Sequence, residues 1–131
     1  MPTPLMASYG ATKHAVVALS TSLRVEAAAA GIRVSVVCPG VIRTPLLTGG
    51  RYGKVLVAAS ADRQREYFER LRPMEPARFA RRVLAQVARN RAIIVVPSRY
   101  KAMWWIDRLS PALGMFVAGK LFTFSKRALI G

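Results

Sequence analysis

Two side chains near the start of the chain, Tyr9 and Lys13 in the run Ser8-Tyr9-Gly10-Ala11-Thr12-Lys13, have the types and spacing for proton transfer. Four residues apart on a helix, they place a phenol and an ammonium on one face. A phenol with an ordinary pKa of about 10 exchanges protons poorly near neutrality. A fixed positive charge beside it favours the phenolate and brings the group toward a useful range. Taken alone, Tyr-x-x-x-Lys recurs by chance in helix-rich sequences, and its surroundings decide what it means.

The elements that must position the pair can be read downstream. A helical pattern runs from about Ser8 to Ala30, with Gly31 a natural stop. Its apolar positions (Ala15, Val16, Ala18, Leu19, Leu23 and the Ala27–Ala30 run) nearly encircle it, which predicts burial on more than one side. His14, with no second ligand or acid nearby, reads as a packing or surface residue. Arg33 to Cys38 is an apolar, β-branched run, the signature of a parallel strand buried on both faces. Pro39 is expected to end its ladder, and Gly40 allows close approach of a ligand to the backbone. The segment Pro39-Gly40-Val41-Ile42-Arg43-Thr44 therefore reads as a turn at the carboxyl edge of the sheet, where open α/β folds bind ligands.

Residues 45–60 form a glycine-rich segment of loop character. Ala61 to Arg72 has helical spacing, with Tyr67, Phe68 and Leu71 on one side. Ala77 to Asn90 reads as an amphipathic crossover helix, with Phe79, Val83, Leu84 and Val87 inward and Arg78, Arg81, Arg82 and Arg89 outward. Ala92 to Val96 is a second buried parallel strand.

The order of these features, from Tyr-x-x-x-Lys through an Ala-rich helix and the Gly31-Ile32-Arg33-Val34 strand start to the Pro39-Gly40 turn, strongly resembles the classical short-chain dehydrogenases/reductases. Met74-Glu75-Pro76-Ala77-Arg78 and Ile93-Ile94-Val95-Val96-Pro97 are similar to the family's last helix and strand, and the resemblance fades after about Pro97. It implies an α/β fold, the C-terminal part of a doubly wound Rossmann-type parallel sheet. Residues 1–97 would be the C-terminal half of that domain and residues 98–131 an apolar, basic arm. The implied reaction is hydride transfer between NAD or NADP and a small apolar alcohol or carbonyl, in an enzyme that is a homo-oligomer. Tyr9 would move the proton at the substrate oxygen, and Lys13 would tune it and hold the nicotinamide ribose. Pro39, Gly40, Ile42 and Thr44 would shape the nicotinamide site, and the glycine-rich segment after Thr44 would close over substrate.

Two parts of the family pattern have no counterpart. Gly49-Gly50 and Gly53 follow no strand and open no apolar helix, so they do not make the Gly-rich cofactor turn. Ser8, one residue from the tyrosine, is not the family's catalytic serine. The N-terminal half of the domain is therefore expected to be missing and the chain to be inactive by itself. A non-catalytic relic is the competing reading.

Composition narrows the other classes. The chain has 131 residues, of which 53% are hydrophobic, which argues against whole-chain disorder. Its 21 basic against 6 acidic residues give a net charge of +15, which favours phosphate-rich surfaces. The basic residues are dispersed and accompany no recognition motif, so specific nucleic-acid binding is not expected. Cys38, the single cysteine, reads as a small buried hydrophobe, with no disulfide and no metal-ligand cluster. No secretory signal is evident at Met1-Pro2-Thr3-Pro4, and a cytoplasmic protein is expected. The tail places Trp104 and Trp105 beside Lys101 and Arg108, while Pro111, Gly114, Gly119 and Lys120 interrupt any bilayer span. It reads as a packing arm or, alternatively, as a peripheral membrane contact.

Overall fold

The computed structural model describes residues 7–45 and 61–130. The substrate loop expected over Pro45 to Ser60 lies outside the described residues after its first residue, as does the run Met1 to Met6 before the tyrosine.

Helix α1 spans Ala7–Glu26 and tightens into a 3-10 turn over Ala27–Ala30. Gly31 ends it with φ +72°, a left-handed conformation that costs glycine nothing, and its N–H donates to the Ala28 carbonyl. Strand β1 covers Val36–Pro39. Helices α2 (Ala61–Arg70) and α3 (Pro76–Ala88) follow, then β2 (Ile93–Val96), α4 (Tyr100–Leu109) and α5 (Pro111–Ile130). The two strands pair in parallel, Val36 opposite Ile93 through Pro39 opposite Val96. The α3 helix serves as the crossover that a parallel pair requires. The architecture is α/β, consistent with part of a doubly wound, Rossmann-like sheet.

Two details of β1 differ from the sequence reading. The ladder begins at Val36 rather than Arg33, and the Val34 carbonyl instead accepts from the Arg24 guanidinium. Pro39 does not end the ladder: Gly40 N–H donates to the Val96 carbonyl at 2.8 Å, one residue beyond it. Alternate residues of a parallel strand bond to a given neighbour. Val36 and Gly40 face β2, so the missing N–H of Pro39 falls on the opposite edge, where it costs this pair nothing.

The core is small. Met74, Ile94 and Val96 are buried together, with Ile42, Phe79 and Val83 packed against them. Leu84 and Val87, expected to face inward, are exposed instead, because a two-stranded sheet is too narrow to cover the whole apolar stripe of α3. On α1, Val16, Leu19, Leu23 and Val25 are likewise exposed, and so is Val37 on β1. At the other end of the chain, Pro111 opens α5 where a proline is tolerated, and Ser110 Oγ accepts from the Leu113 N–H. Helix α5 packs on α4 and α2, burying Ala118. Gly114 permits the close approach: a Cβ there would lie 2.6 Å from Asp107 Oδ1 and 3.0 Å from the Asp107 Cα. No helix among the described residues is long and apolar enough to cross a membrane.

Candidate active site

Tyr9 and Lys13 lie in the first turns of α1, on one face as their spacing requires. The Lys13 ammonium stands 5.3 Å from the centroid of the Tyr9 ring, a cation–π distance. The phenol is half-exposed, and neither its oxygen nor the ammonium forms a hydrogen bond or ion pair among the described residues. Gly10, next to Tyr9 in the same turn, is the buried residue of this helix. His14 Nδ1 donates to the Gly10 carbonyl one turn back, at 2.8 Å.

The Pro39–Thr44 turn leaves the carboxyl end of β1, as an edge site in an α/β fold should. Ile42 is pinned by a parallel bridge to Met74, with Arg43 N–H donating to the Met74 carbonyl and Met74 N–H to the Val41 carbonyl. Arg43 then ties the turn to α2 and to the start of α3 through Glu69 and Glu75. Hydrogen bonding to Arg43 holds the Glu69 carboxyl below its ordinary range, and the same bond raises the guanidinium further. Thr44 is exposed at the end of the turn. Cys38, half-buried within β1, has its thiol pushed up by burial, which suits packing rather than nucleophilic chemistry.

Residues 1–53 match the family model for short chain dehydrogenases. The chain is 33% identical over 124 residues to a dehydrogenase/reductase SDR family protein 7-like of Drosophila melanogaster, covering 89% of this chain and 35% of the relative. It is 49% identical over 43 residues to 1-deoxy-11-beta-hydroxypentalenate dehydrogenase of Streptomyces exfoliatus, 33% of this chain and 16% of the relative. It is also 54% identical over 39 residues to Oxidoreductase UcpA of Escherichia coli, 30% of this chain and 15% of the relative. Over most of its length the chain is similar to proteins of the short-chain dehydrogenase/reductase family. It spans about a third of the length of the SDR family protein 7-like relatives it matches. No solved structure matches it.

Similarity to that family implies a nicotinamide dinucleotide in general terms. The Tyr9–Lys13 face fits one, since an exposed ammonium and phenol are donors suited to ribose hydroxyls and a substrate oxygen. The turn fits less simply. The space left by the absent Cβ of Gly40 is filled by Tyr100, whose Cε2 would lie 2.2 Å from a Cβ built there. The close approach that Gly40 permits is thus made by an α4 ring rather than left open to a ligand. Arg99 stacks on Tyr100, 5.1 Å from the ring centroid, and donates to the Leu71 and Arg72 carbonyls at the end of α2.

Sequence reasoning missed Tyr100, and it missed the clamp on α1. Arg24 donates to the Val34 carbonyl and, at 2.9 Å each, to the backbone and side-chain oxygens of Asn90. Asn90 sits at φ +53° in the turn after α3, where asparagine is enriched. The asparagine after an apolar stripe was a legible turn signal; its arginine partner 66 residues away was not.

Proposed function

We propose that this chain supplies the proton-transfer half of an NAD(P)-dependent short-chain oxidoreductase acting on a small apolar alcohol or carbonyl. The observation that carries this reading is the Tyr9–Lys13 pair, exposed together on one face of α1 and followed by the Pro39–Thr44 turn at the carboxyl end of β1. In the reductive direction the Tyr9 hydroxyl donates its proton to the carbonyl oxygen as charge develops there. In the oxidative direction it takes the proton back. Lys13 stabilises the phenolate electrostatically and offers its ammonium hydrogens to the nicotinamide ribose. The dinucleotide, when bound, supplies or accepts the hydride. Pro39, Gly40, Ile42 and Thr44 would hold its nicotinamide end, and binding there would require the Tyr100 ring to share or yield the space at Gly40.

The test is turnover of the 131-residue chain, and of the same chain joined to a family segment bearing a Gly-rich cofactor turn and a catalytic serine. With either dinucleotide and a panel of apolar alcohols and ketones, the chain alone is expected to be inactive and the joined protein active. Lys13→Met in the joined protein should lower kcat and raise the KM for dinucleotide. Unchanged kcat and KM would overturn the role given to the lysine.

A second reading concerns the arm. Leu113, Met115, Phe116, Leu121 and Phe124 are exposed on α5, and Lys120 stands 5.5 Å from the Phe116 ring centroid. Apolar side chains beside cations suit a contact with a second surface, protein or lipid. Flotation with anionic vesicles that weakens with salt would assign it to lipid; no flotation with any composition would leave protein packing.

A further inference from the structure

We propose that the groove between α3, β2 and α4 binds a phosphate-bearing ligand that also carries an apolar or aromatic group. The groove encloses about 560 Å³, within the range of small-molecule sites. Its floor is the apolar β2 strand. Arg82 lines it from α3, Arg89 from the residue that caps that helix, Arg91 from the turn that follows, and Lys101, Trp104 and Trp105 from α4.

Four cationic residues from three segments line this space, and among the described residues no acidic one does. Among the described residues none of the four forms an ion pair, whereas Arg43 at the turn is engaged by two glutamates. Converging unpaired guanidinium groups match the oxygens of a phosphate in paired hydrogen bonds and concentrate anions in the cleft. The indoles define the other half of the ligand. Trp104 meets Trp105 edge-on at 4.9 Å, and Arg108 stacks on Trp104 at 5.4 Å. Trp105, half-exposed, keeps ring surface open for a flat or apolar group.

Two sources carry that combined chemistry: a soluble phosphate ester of nucleotide type, and the headgroup of an anionic phospholipid. The chain's only two tryptophans both line the groove, so intrinsic fluorescence reports on this site. The 131-residue chain is titrated with adenosine monophosphate, with adenosine, and with vesicles of phosphatidylglycerol or of phosphatidylcholine alone. A saturable, salt-sensitive fluorescence change is expected with adenosine monophosphate or with phosphatidylglycerol vesicles, and not with adenosine or phosphatidylcholine. A response to the nucleotide assigns a free phosphate ester, and a response to the vesicles alone assigns the headgroup.

Arg82→Gln with Arg89→Gln should weaken binding about tenfold or more. Arg78→Gln with Arg81→Gln removes the same charge from α3 outside the groove and should change it less than about twofold. All four positions are exposed, so both variants should fold, which far-ultraviolet circular dichroism checks. Equal weakening by the two pairs would reduce the effect to nonspecific attraction by a +15 chain and overturn the site. No response to either phosphate probe would overturn it as well.

Discussion

The sheet behind the Pro39–Thr44 turn and the helix that carries Tyr9 differ in cover: among the described residues the sheet holds a buried core, whereas α1 buries only Gly10. Val36, Ile94 and Val96 are buried, and Ile42, Phe79 and Val83 close over Met74. On α1, by contrast, Leu19 is 68% and Val25 77% exposed. Helix α1 is tied to the rest of the chain by the Arg24 fan to Val34 and Asn90. The difference teaches that the proposed dinucleotide turn belongs to a unit this chain packs for itself. The proposed reactive pair sits on an element whose apolar surface is left for something else to cover.

The largest effect is expected from cutting the polar attachment. Arg24→Ala leaves three oxygens without their charged donor and should cost about 2–3 kcal/mol in urea unfolding, with α1 amides losing hydrogen-exchange protection first. Asn90→Gly keeps the backbone acceptor and the positive φ, and should cost less than about 1 kcal/mol. Equal losses for the two variants would mean that the arginine fan is not what holds the helix.

The packed side is probed at Gly40. Gly40→Ala forces the Tyr100 ring away and should cost about 1–3 kcal/mol. In Gly40→Ala with Tyr100→Ala much of that added cost should disappear, giving a favourable coupling in a double-mutant cycle. Strict additivity would show that the contact carries no strain when the methyl is added.

The uncovered face gives a smaller effect on stability and a visible one on association. Leu19→Glu should change unfolding free energy by no more than about 0.5 kcal/mol, since the side chain has little to lose. It should also shift sedimentation toward monomer if α1 mediates self-association. A large loss of stability would mean that Leu19 is packed in solution.

The smallest effect is electrostatic. Glu69 is depressed in the folded chain, so its contribution is present above the ordinary value of 4.5 and is lost as pH falls below that toward the depressed one. Both partners are solvent-exposed, so the change should be slight and absent in Glu69→Gln. An equal acid response in Glu69→Gln would assign it to other carboxylates.

Local signals carried much of the fold. The helical stripe and Gly31 located α1 and its end, and the β-branched run Ile93-Ile94-Val95-Val96 located β2. What failed was non-local. The start of β1 depends on an arginine side chain taking the Val34 carbonyl, and the burial of Leu84 depends on the width of the sheet above it. The same limit applies at the site. That Tyr9 and Lys13 share one helix was legible from their spacing, and that the chain turns after β1 from the Pro39-Gly40 residue types. Tyr100 was not, since nothing near position 100 signals that its ring fills the space at Gly40.

Two tyrosines therefore make the most direct test. Tyr9 is given a chemical role through its hydroxyl, while Tyr100 is given a packing role through its ring against Gly40. In the joined, active protein, kcat is measured for Tyr9→Phe and Tyr100→Phe under saturating dinucleotide and substrate. Tyr9→Phe is expected to lower kcat by about 10²–10⁴-fold, the scale of a lost general acid, and Tyr100→Phe to leave it within about twofold. Retention of kcat in Tyr9→Phe would contradict the account.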